Sequence, residues 1–276
     1  MMQLLFRPET FSKSRQSFGF EYLSFQSRRL AAGGRYEEDT GDMELGIVAL
    51  GGRFSVESSR GEWRGIGERA HVFAGMPWAL YLPIATRYAL TADADCELAF
   101  CYSRAEKPFP PRLVKPEDVE VEIRGGGNAT RQINHILTPA FPAQRLLIVE
   151  VFTPGGNWSS YPPHKHDEHR PPGEVDLEEI YYYKIEGANG YAIQKVYTKD
   201  RRLDETLTVR DGELALIPEG YHPVVAAHGY NAYYLNALAG SARSMAASDD
   251  PDYAWVRETW KEKDPRVPVV KRSMRA

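Results

Sequence analysis

The sequence predicts an all-β protein with two β-barrel (jelly-roll) halves in one chain. Short apolar or alternating runs recur along most of its length, at strand rather than helix lengths. Turn formers separate them, with 23 Gly and 19 Pro in 276 residues, and 16 Tyr add to the strand-favouring aromatics. No long amphipathic helical pattern stands out before the C-terminal tail.

In chain order, residues 18–23 form a short aromatic run, and residues 44–50 are apolar after Glu44 and stop at the turn pair Gly51-Gly52. Residues 53–58 alternate polar and apolar, as a half-buried strand does. Strands are expected next within 70–83, 87–92 and 97–102. Residues 107–127 are rich in proline and charge and end in Gly125-Gly126-Gly127, so they read as the connection between the halves. The second half repeats the style, with strands expected at 144–152, 179–185, 191–198, 205–209, 213–217 and 232–238. A polar tail follows from Asp249, with Trp255 and Trp260 as anchors onto the body. The expected domains are therefore an N-terminal barrel, 1–125, and a C-terminal barrel with its tail, 126–276.

Hydrophobic content of 42% and charged content of 26% are those of a soluble globular chain. A net charge of −4 gives no electrostatic basis for nucleic-acid binding. No apolar run reaches the length of a membrane span, and the first residues turn polar too soon for a signal peptide. Cys96 and Cys101 read as small apolar fillers in a reducing compartment, so a cytoplasmic location is expected.

The chain has seven histidines, and three of them fall into one arrangement. His164 and His166 are two apart, so on a strand both imidazoles point to one side. His222 closes the turn Pro218-Glu219-Gly220-Tyr221-His222. Glu178 and Glu179 open a tyrosine-rich strand, and a one-residue choice flips the face. Glu179 shares its face with Tyr181, Tyr183 and Ile185 and is the favoured ligand; Glu178 goes with Ile180 and Tyr182. Three imidazoles and one carboxylate suit a single divalent ion, zinc first, with Mn, Fe, Ni or Co as alternatives, and leave positions open for substrate. His169 and His228 are the second choices for the last ligand, while His71 and His135 read as structural. With only His71, the N-terminal barrel is expected to carry no metal.

The order His-x-His, Glu, Pro-x-Gly-x-His resembles the two motifs of the cupin superfamily. The longer run Thr153-Pro154-Gly155-Gly156-Asn157-Trp158-Ser159-Ser160-Tyr161-Pro162-Pro163-His164-Lys165-His166-Asp167 is more specific. Together with Leu177-Glu178-Glu179-Ile180-Tyr181-Tyr182, Leu203-Asp204-Glu205-Thr206 and Tyr233-Tyr234-Leu235-Asn236, it resembles the 5-deoxy-glucuronate isomerase family of inositol catabolism. The 5-keto-4-deoxyuronate isomerases of pectin breakdown are a related family. The resemblance is dense in the second half and covers the first only in strand style and length. It implies a bicupin fold, metal ligands His164, His166, Glu179 and His222, and conversion of 5-deoxy-D-glucuronate to 5-dehydro-2-deoxy-D-gluconate. Two departures from the generic cupin pattern stand out: twelve residues separate His166 from Glu179, and the interval from Gly220 to His222 is one shorter.

Aldose–ketose isomerisation moves a hydrogen between C1 and C2, which needs carbonyl polarisation and, unless hydride shifts directly, a base. Candidates for the base are Glu178 and Lys165, with Tyr181, Tyr183, Lys195 and Tyr221 around the substrate. Arg131, Arg170 and Lys195 are the cations available for a substrate carboxylate. The expected partner is a small sugar acid, in a protein that forms a homo-oligomer through barrel edges. The alternatives are a metal-dependent dioxygenase and a non-catalytic sugar-binding barrel.

Overall fold

Alternation along each strand decides which side chains form the core. In Arg87–Ala92, Tyr88, Leu90 and Ala92 are buried while Arg87 is exposed. The computed structural model describes residues 2–272; Met1 and residues 273–276, which end the expected tail, lie outside the described residues.

The chain forms two compact units. One holds the segment up to Pro8, Val121–His135 and Val149–Val269; the other holds Glu9–Glu120, Ile136–Ile148 and the segment from Val270. The continuous halves 1–125 and 126–276 thus exchange segments. Leu5–Phe6 pairs with Leu214–Ile217, so the first residues belong to the later sheet. A two-residue edge strand has too few side chains to show a periodicity in sequence.

The unit that carries the histidines has a seven-stranded sheet. Its order is Leu5–Phe6, Leu214–Ile217, Leu177–Ile185, Ala232–Gly240, Leu147–Thr153, Arg131–Leu137, Glu120–Arg124. A four-stranded sheet faces it, in the order Trp158–Ser159, Val224–Ala226, Ala192–Tyr197, Asp204–Val209. Tyr181, Tyr183, Ala215, Ile217 and Tyr234 from the first sheet share a core with Ala192, Val196, Val209, Val224 and Ala226 from the second.

The other unit repeats the plan. Its five-stranded sheet runs Arg112–Val114, Ala79–Leu82, Met43–Gly51, Cys96–Arg104, Leu23–Leu30, and its four-stranded sheet runs Arg35–Asp39, Arg87–Ala92, Phe54–Ser58, Gly61–Ile66. Leu45, Ile47, Leu80, Leu98 and Phe100 meet Phe54, Val56, Ile66 and Leu90 in its core. Every residue of Met43–Gly51 is buried, as fits a central strand covered on both faces.

Two expectations change. The connection at 107–127 contains two sheet-edge strands, Arg112–Val114 and Glu120–Arg124. Proline and charge mark edges as well as linkers. In the tail, Trp255 is 60% exposed and anchors nothing, whereas Trp260 packs closely: a Cβ on Gly126 would lie 2.4 Å from its Cα. Cys96 and Cys101 are buried and unpaired, and burial pushes the Cys96 thiol up to about 11. Among the described residues no helix is long and apolar enough to cross a membrane.

Candidate metal centre

The strand Leu177–Ile185 lies between Leu214–Ile217 and Ala232–Gly240, in a register that sets Glu179 opposite Ile217 and Leu238. Glu179, at 4% exposure, lines a cavity with Tyr181, and Tyr181, Tyr183 and Ile185 continue inward into the core. Glu178 alternates away and is not on the cavity wall.

His166 follows the short strand His164–Lys165, which pairs with Ser248–Asp249. Its Nδ1 donates to the Leu177 carbonyl at 3.0 Å, leaving Nε2 3.0 Å from Glu179 Oε2. His222 is fully buried; its Nδ1 donates to the Gly220 carbonyl at 2.9 Å, and its Nε2 lies 3.3 Å from the same Glu179 oxygen. Among the described residues that Nε2 has no hydrogen-bond partner. A backbone carbonyl on Nδ1 selects the tautomer whose Nε2 lone pair is free, as a metal-ligating histidine requires. Burial pushes the His222 imidazole down to about 4, so it is neutral near pH 7. For His166 burial pulls the same way, but the Glu179 contact outweighs it and raises the pKa.

The ligand atoms of His166, Glu179 and His222 all lie within 4.8 Å of one another. Zinc bonds of about 2.0–2.2 Å put neighbouring ligand atoms roughly 3–3.5 Å apart, so the two N–O separations fit a shared ion. The donor set and the unpartnered Nε2 therefore suit a divalent metal. His164 stands beside this group rather than in it. Its ring centre is 4.7 Å from that of His222 and 6.3 Å from that of His166. Burial, then the His222 and His166 charges, hold it well below the usual histidine range.

The two ligand-bearing loops are tied together. Asp167 Oδ2 accepts from the Gly220 N–H at 2.7 Å. Tyr197 and Tyr221 exchange backbone hydrogen bonds at 2.9 and 2.8 Å, which fixes the approach to His222. Gly220 has φ +84°, and a Cβ there would lie 2.4 Å from the Tyr197 carbonyl oxygen, so the turn requires glycine. Glu174, 1% exposed, accepts from Lys165 Nζ at 2.8 Å, from the Asp167 and Glu168 N–H groups at 3.0 Å each, and from Arg170 at 3.1 Å.

That network relocates several expected site residues. Lys165 is held by Asp167, Glu168 and Glu174. Burial pulls its pKa down, but the three carboxylates win and raise it, so it is a structural cation and no base. Arg170 is exposed and pairs with Glu168 and Glu174. Lys195 pairs with Asp204 on the outer side of its strand; its neighbour Gln194 turns inward and accepts from Tyr183 Oη at 2.5 Å. Tyr221 packs on Tyr197 with ring centres 5.2 Å apart. Of the substrate tyrosines and cations expected beyond Tyr181, Arg131 lines the cavity, whereas Tyr183, Tyr221, Lys195 and Arg170 do not.

The cavity holds about 250 Å³, at or just below the small end of ligand sites. Its wall includes His164, His166, Glu179 and Tyr181, and also Ser160, Tyr234, Asn236, Arg124, Arg131, Arg257, His135 and Asp249. Sequence reasoning left most of the second group out. Arg257 and Asp249 come from the tail, which carried no motif, and Arg124 from the segment expected to be a linker.

An all-β bicupin, with a buried His–Glu–His cluster in one unit, is the class that fold and site define. The KduI/IolB family model matches residues 7–256, and the chain belongs to that family. A relative from Geobacillus thermodenitrificans (strain NG80-2), named 5-deoxy-glucuronate isomerase, is 45% identical over 245 residues, covering 88% of this chain and 89% of its own. A relative of the same name from Bacillus subtilis (strain 168) is 41% identical over 239 residues, covering 86% and 88%. The crystal structure of an IolB-like protein from Salmonella typhimurium LT2 superposes with TM-score 0.89 at 35% identity, covering 92% of this chain and 99% of that one. Bacillus subtilis oxalate decarboxylase, at TM-score 0.65 and 13% identity over 90% of this chain and 80% of its own, shares the fold.

Proposed function

We propose that this chain is a metal-dependent aldose–ketose isomerase that converts 5-deoxy-D-glucuronate to 5-dehydro-2-deoxy-D-gluconate in the cytoplasm, as a step of myo-inositol catabolism. One observation carries the reading. Two buried imidazoles, both with Nδ1 held by backbone carbonyls, aim Nε2 at Glu179 beside a cavity of monosaccharide scale. The isomerase names of the relatives favour this over a dioxygenase or a non-catalytic sugar binder.

His166, Glu179 and His222 would hold one divalent ion, with His164 beside them as the fourth ligand. Zinc is the first choice, and Mn, Fe, Ni or Co suit the same donors. The chemistry supplied by an ion held there would be Lewis acidity toward the sugar carbonyl. In the net reaction a C2–H bond breaks and a C1–H bond forms, while the C1 carbonyl becomes a hydroxyl and the C2 hydroxyl a carbonyl. No external oxidant or reductant is needed. Tyr181, with its hydroxyl 3.1 Å from Ser160 Oγ, keeps its proton, because burial and then the Glu179 charge raise its pKa well above the usual tyrosine value. It serves as a hydrogen-bond donor to a sugar oxygen and not as a base. Glu178 and Lys165 do not reach the cavity, so neither is given the proton transfer.

The test pairs elemental analysis with an isomerase assay on 5-deoxy-D-glucuronate. Near one metal per wild-type chain with turnover, and loss of both in His222→Ala, is the expected result. Metal without turnover would keep the site and reject the isomerase; no metal would reject both.

A further inference from the structure

The cavity wall carries three arginines, and they differ in one respect. Arg124 forks onto Glu122, with two bonds of 2.7 Å, and Arg257 pairs with Asp249. Both charges are answered within the protein. Arg131 is only 4% exposed, and among the described residues no carboxylate pairs with it. Its Nη1 donates to the carbonyls of Ala129 and Tyr161, at 3.0 and 3.1 Å. Both bonds use one nitrogen, and among the described residues the fork formed by Nε and Nη2 takes no acceptor. A buried guanidinium without a paired carboxylate is costly, and an anionic ligand would supply the missing counter-charge. Burial first, and then the nearby Arg124 and Arg257 charges, lower the Arg131 pKa to about 10, which still leaves the group cationic at neutral pH.

Its surroundings agree. Arg131 stands on the strand Arg131–Leu137 and binds the Tyr161 carbonyl three residues before His164, so one side chain links the cavity wall to the histidine segment. Its charge acts on both His164 and Tyr234. Gly125 packs against it, with a Cβ there 3.0 Å from Nη1, so the guanidinium has little room to turn away.

We infer that Arg131 is the residue that selects an acid as substrate: its free Nε/Nη2 edge takes the sugar carboxylate in a two-pronged hydrogen bond and sets the opposite, carbonyl end toward Glu179. This rests on the isomerase reading for the identity of the acid. Guanidinium and carboxylate match in geometry, and a point-charge lysine does not reproduce the fork. Specificity then comes from Arg131, and Arg170 and Lys195 have no part in it.

The experiment compares two substrates on metal-loaded wild type, Arg131→Met and Arg131→Lys. One is 5-deoxy-D-glucuronate; the other is 5-deoxy-D-glucose, with a hydroxymethyl group in place of the carboxylate. Wild type is expected to prefer the acid by about 10²-fold or more in kcat/KM, because a buried ion without its partner rejects the neutral analogue. Arg131→Met should lose that preference, through a fall on the acid of about 10²-fold and only a several-fold change on the neutral sugar. Arg131→Lys should recover part of the loss. Equal losses on both sugars, or a preference that survives in Arg131→Met, would overturn the assignment. Metal content at the wild-type level in Arg131→Met is the folding control; if it falls, the same comparison is made with Arg131→Lys, where an undiminished preference overturns the assignment. If the wild type binds metal but turns over neither sugar, the isomerase reading fails, and calorimetric titration with 5-deoxy-D-glucuronate decides Arg131 separately: binding lost in Arg131→Met supports it, and binding retained refutes it.

Discussion

Glu44 in one barrel unit and Glu179 in the other are buried carboxylates satisfied in opposite ways. In the unit built on Glu9–Glu120, Glu44 is fully buried and its oxygens accept from Tyr81 Oη and from the N–H groups of Gln144, Arg145 and Leu146, at 2.6–2.8 Å. Glu38 in the same unit takes three tyrosine hydroxyls on one oxygen, from Tyr36, Tyr88 and Tyr102 at 2.8, 3.0 and 2.5 Å. These carboxylates are saturated by the protein. Glu179 in the other unit instead faces imidazole nitrogens, one of which has no hydrogen bond of its own. Saturation marks a structural carboxylate and an incomplete shell marks a site, because buried polar groups are otherwise nearly always paired.

The comparison can be broken most sharply at Glu179. Glu179→Gln should lower kcat/KM by about 10³-fold or more and release the metal, since it removes a charged ligand. A chelator should do the same to the wild type, with activity returning when metal is restored. An active, metal-bearing Glu179→Gln would remove the distinction between the two carboxylate classes. Glu44→Gln should behave in reverse. It leaves backbone N–H groups facing an amide that can accept at only one atom, at a cost of about 2–4 kcal/mol in stability. Denaturant unfolding measures that loss, while the folded variant keeps wild-type metal content.

A smaller effect concerns pH. Glu174 carries its shift to about 2 because the Lys165 ion pair and the hydrogen bonds it accepts outweigh burial, which acts first and in the opposite direction. The unfolded chain therefore takes up this proton at higher pH than the folded one. The stabilisation is complete above about pH 4.5, the ordinary glutamate value, and is lost as pH falls through about 2. Glu174→Gln should flatten the acid limb of a stability–pH curve; an unchanged limb would mean that the network does not tie the histidine segment down. Smallest of all, Lys195→Ala removes an outward ion pair with Asp204 and should change kcat/KM less than about threefold and stability by about 0–1 kcal/mol.

Much of the site was legible in the sequence. The register of Glu179 with Tyr181 on one strand face follows from strand geometry alone. The interval in His164-Lys165-His166 pointed to the right segment, but the strand there ends at Lys165 and His164 stands beside the ligand cluster rather than in it. The one-step difference between Glu178 and Glu179 favoured Glu179 as ligand but left Glu178 as a candidate base, and only the cavity wall, which lacks Glu178, removes it. Gly220 was legible as a turn residue, although the reason only glycine serves, the Tyr197 carbonyl, belongs to another strand. Lys165 illustrates the limit. Its position between two histidines suggested chemistry, yet its environment is made by Glu168 and Glu174, from a loop with no periodicity.

By itself the sequence determined that strands form, which of their faces turn inward, and that imidazoles and a carboxylate are available in cupin order. These are local properties, set by backbone geometry and by alternation over a few residues. Tertiary structure decided which cations meet those ligands. Arg131, Arg257 and Asp249 reach one cavity from distant parts of the chain, and only their pairing separates the arginine left without a carboxylate from the two already neutralised. Such pairing depends on which strands lie side by side, and this is a property of the whole sheet that no short window of residues contains.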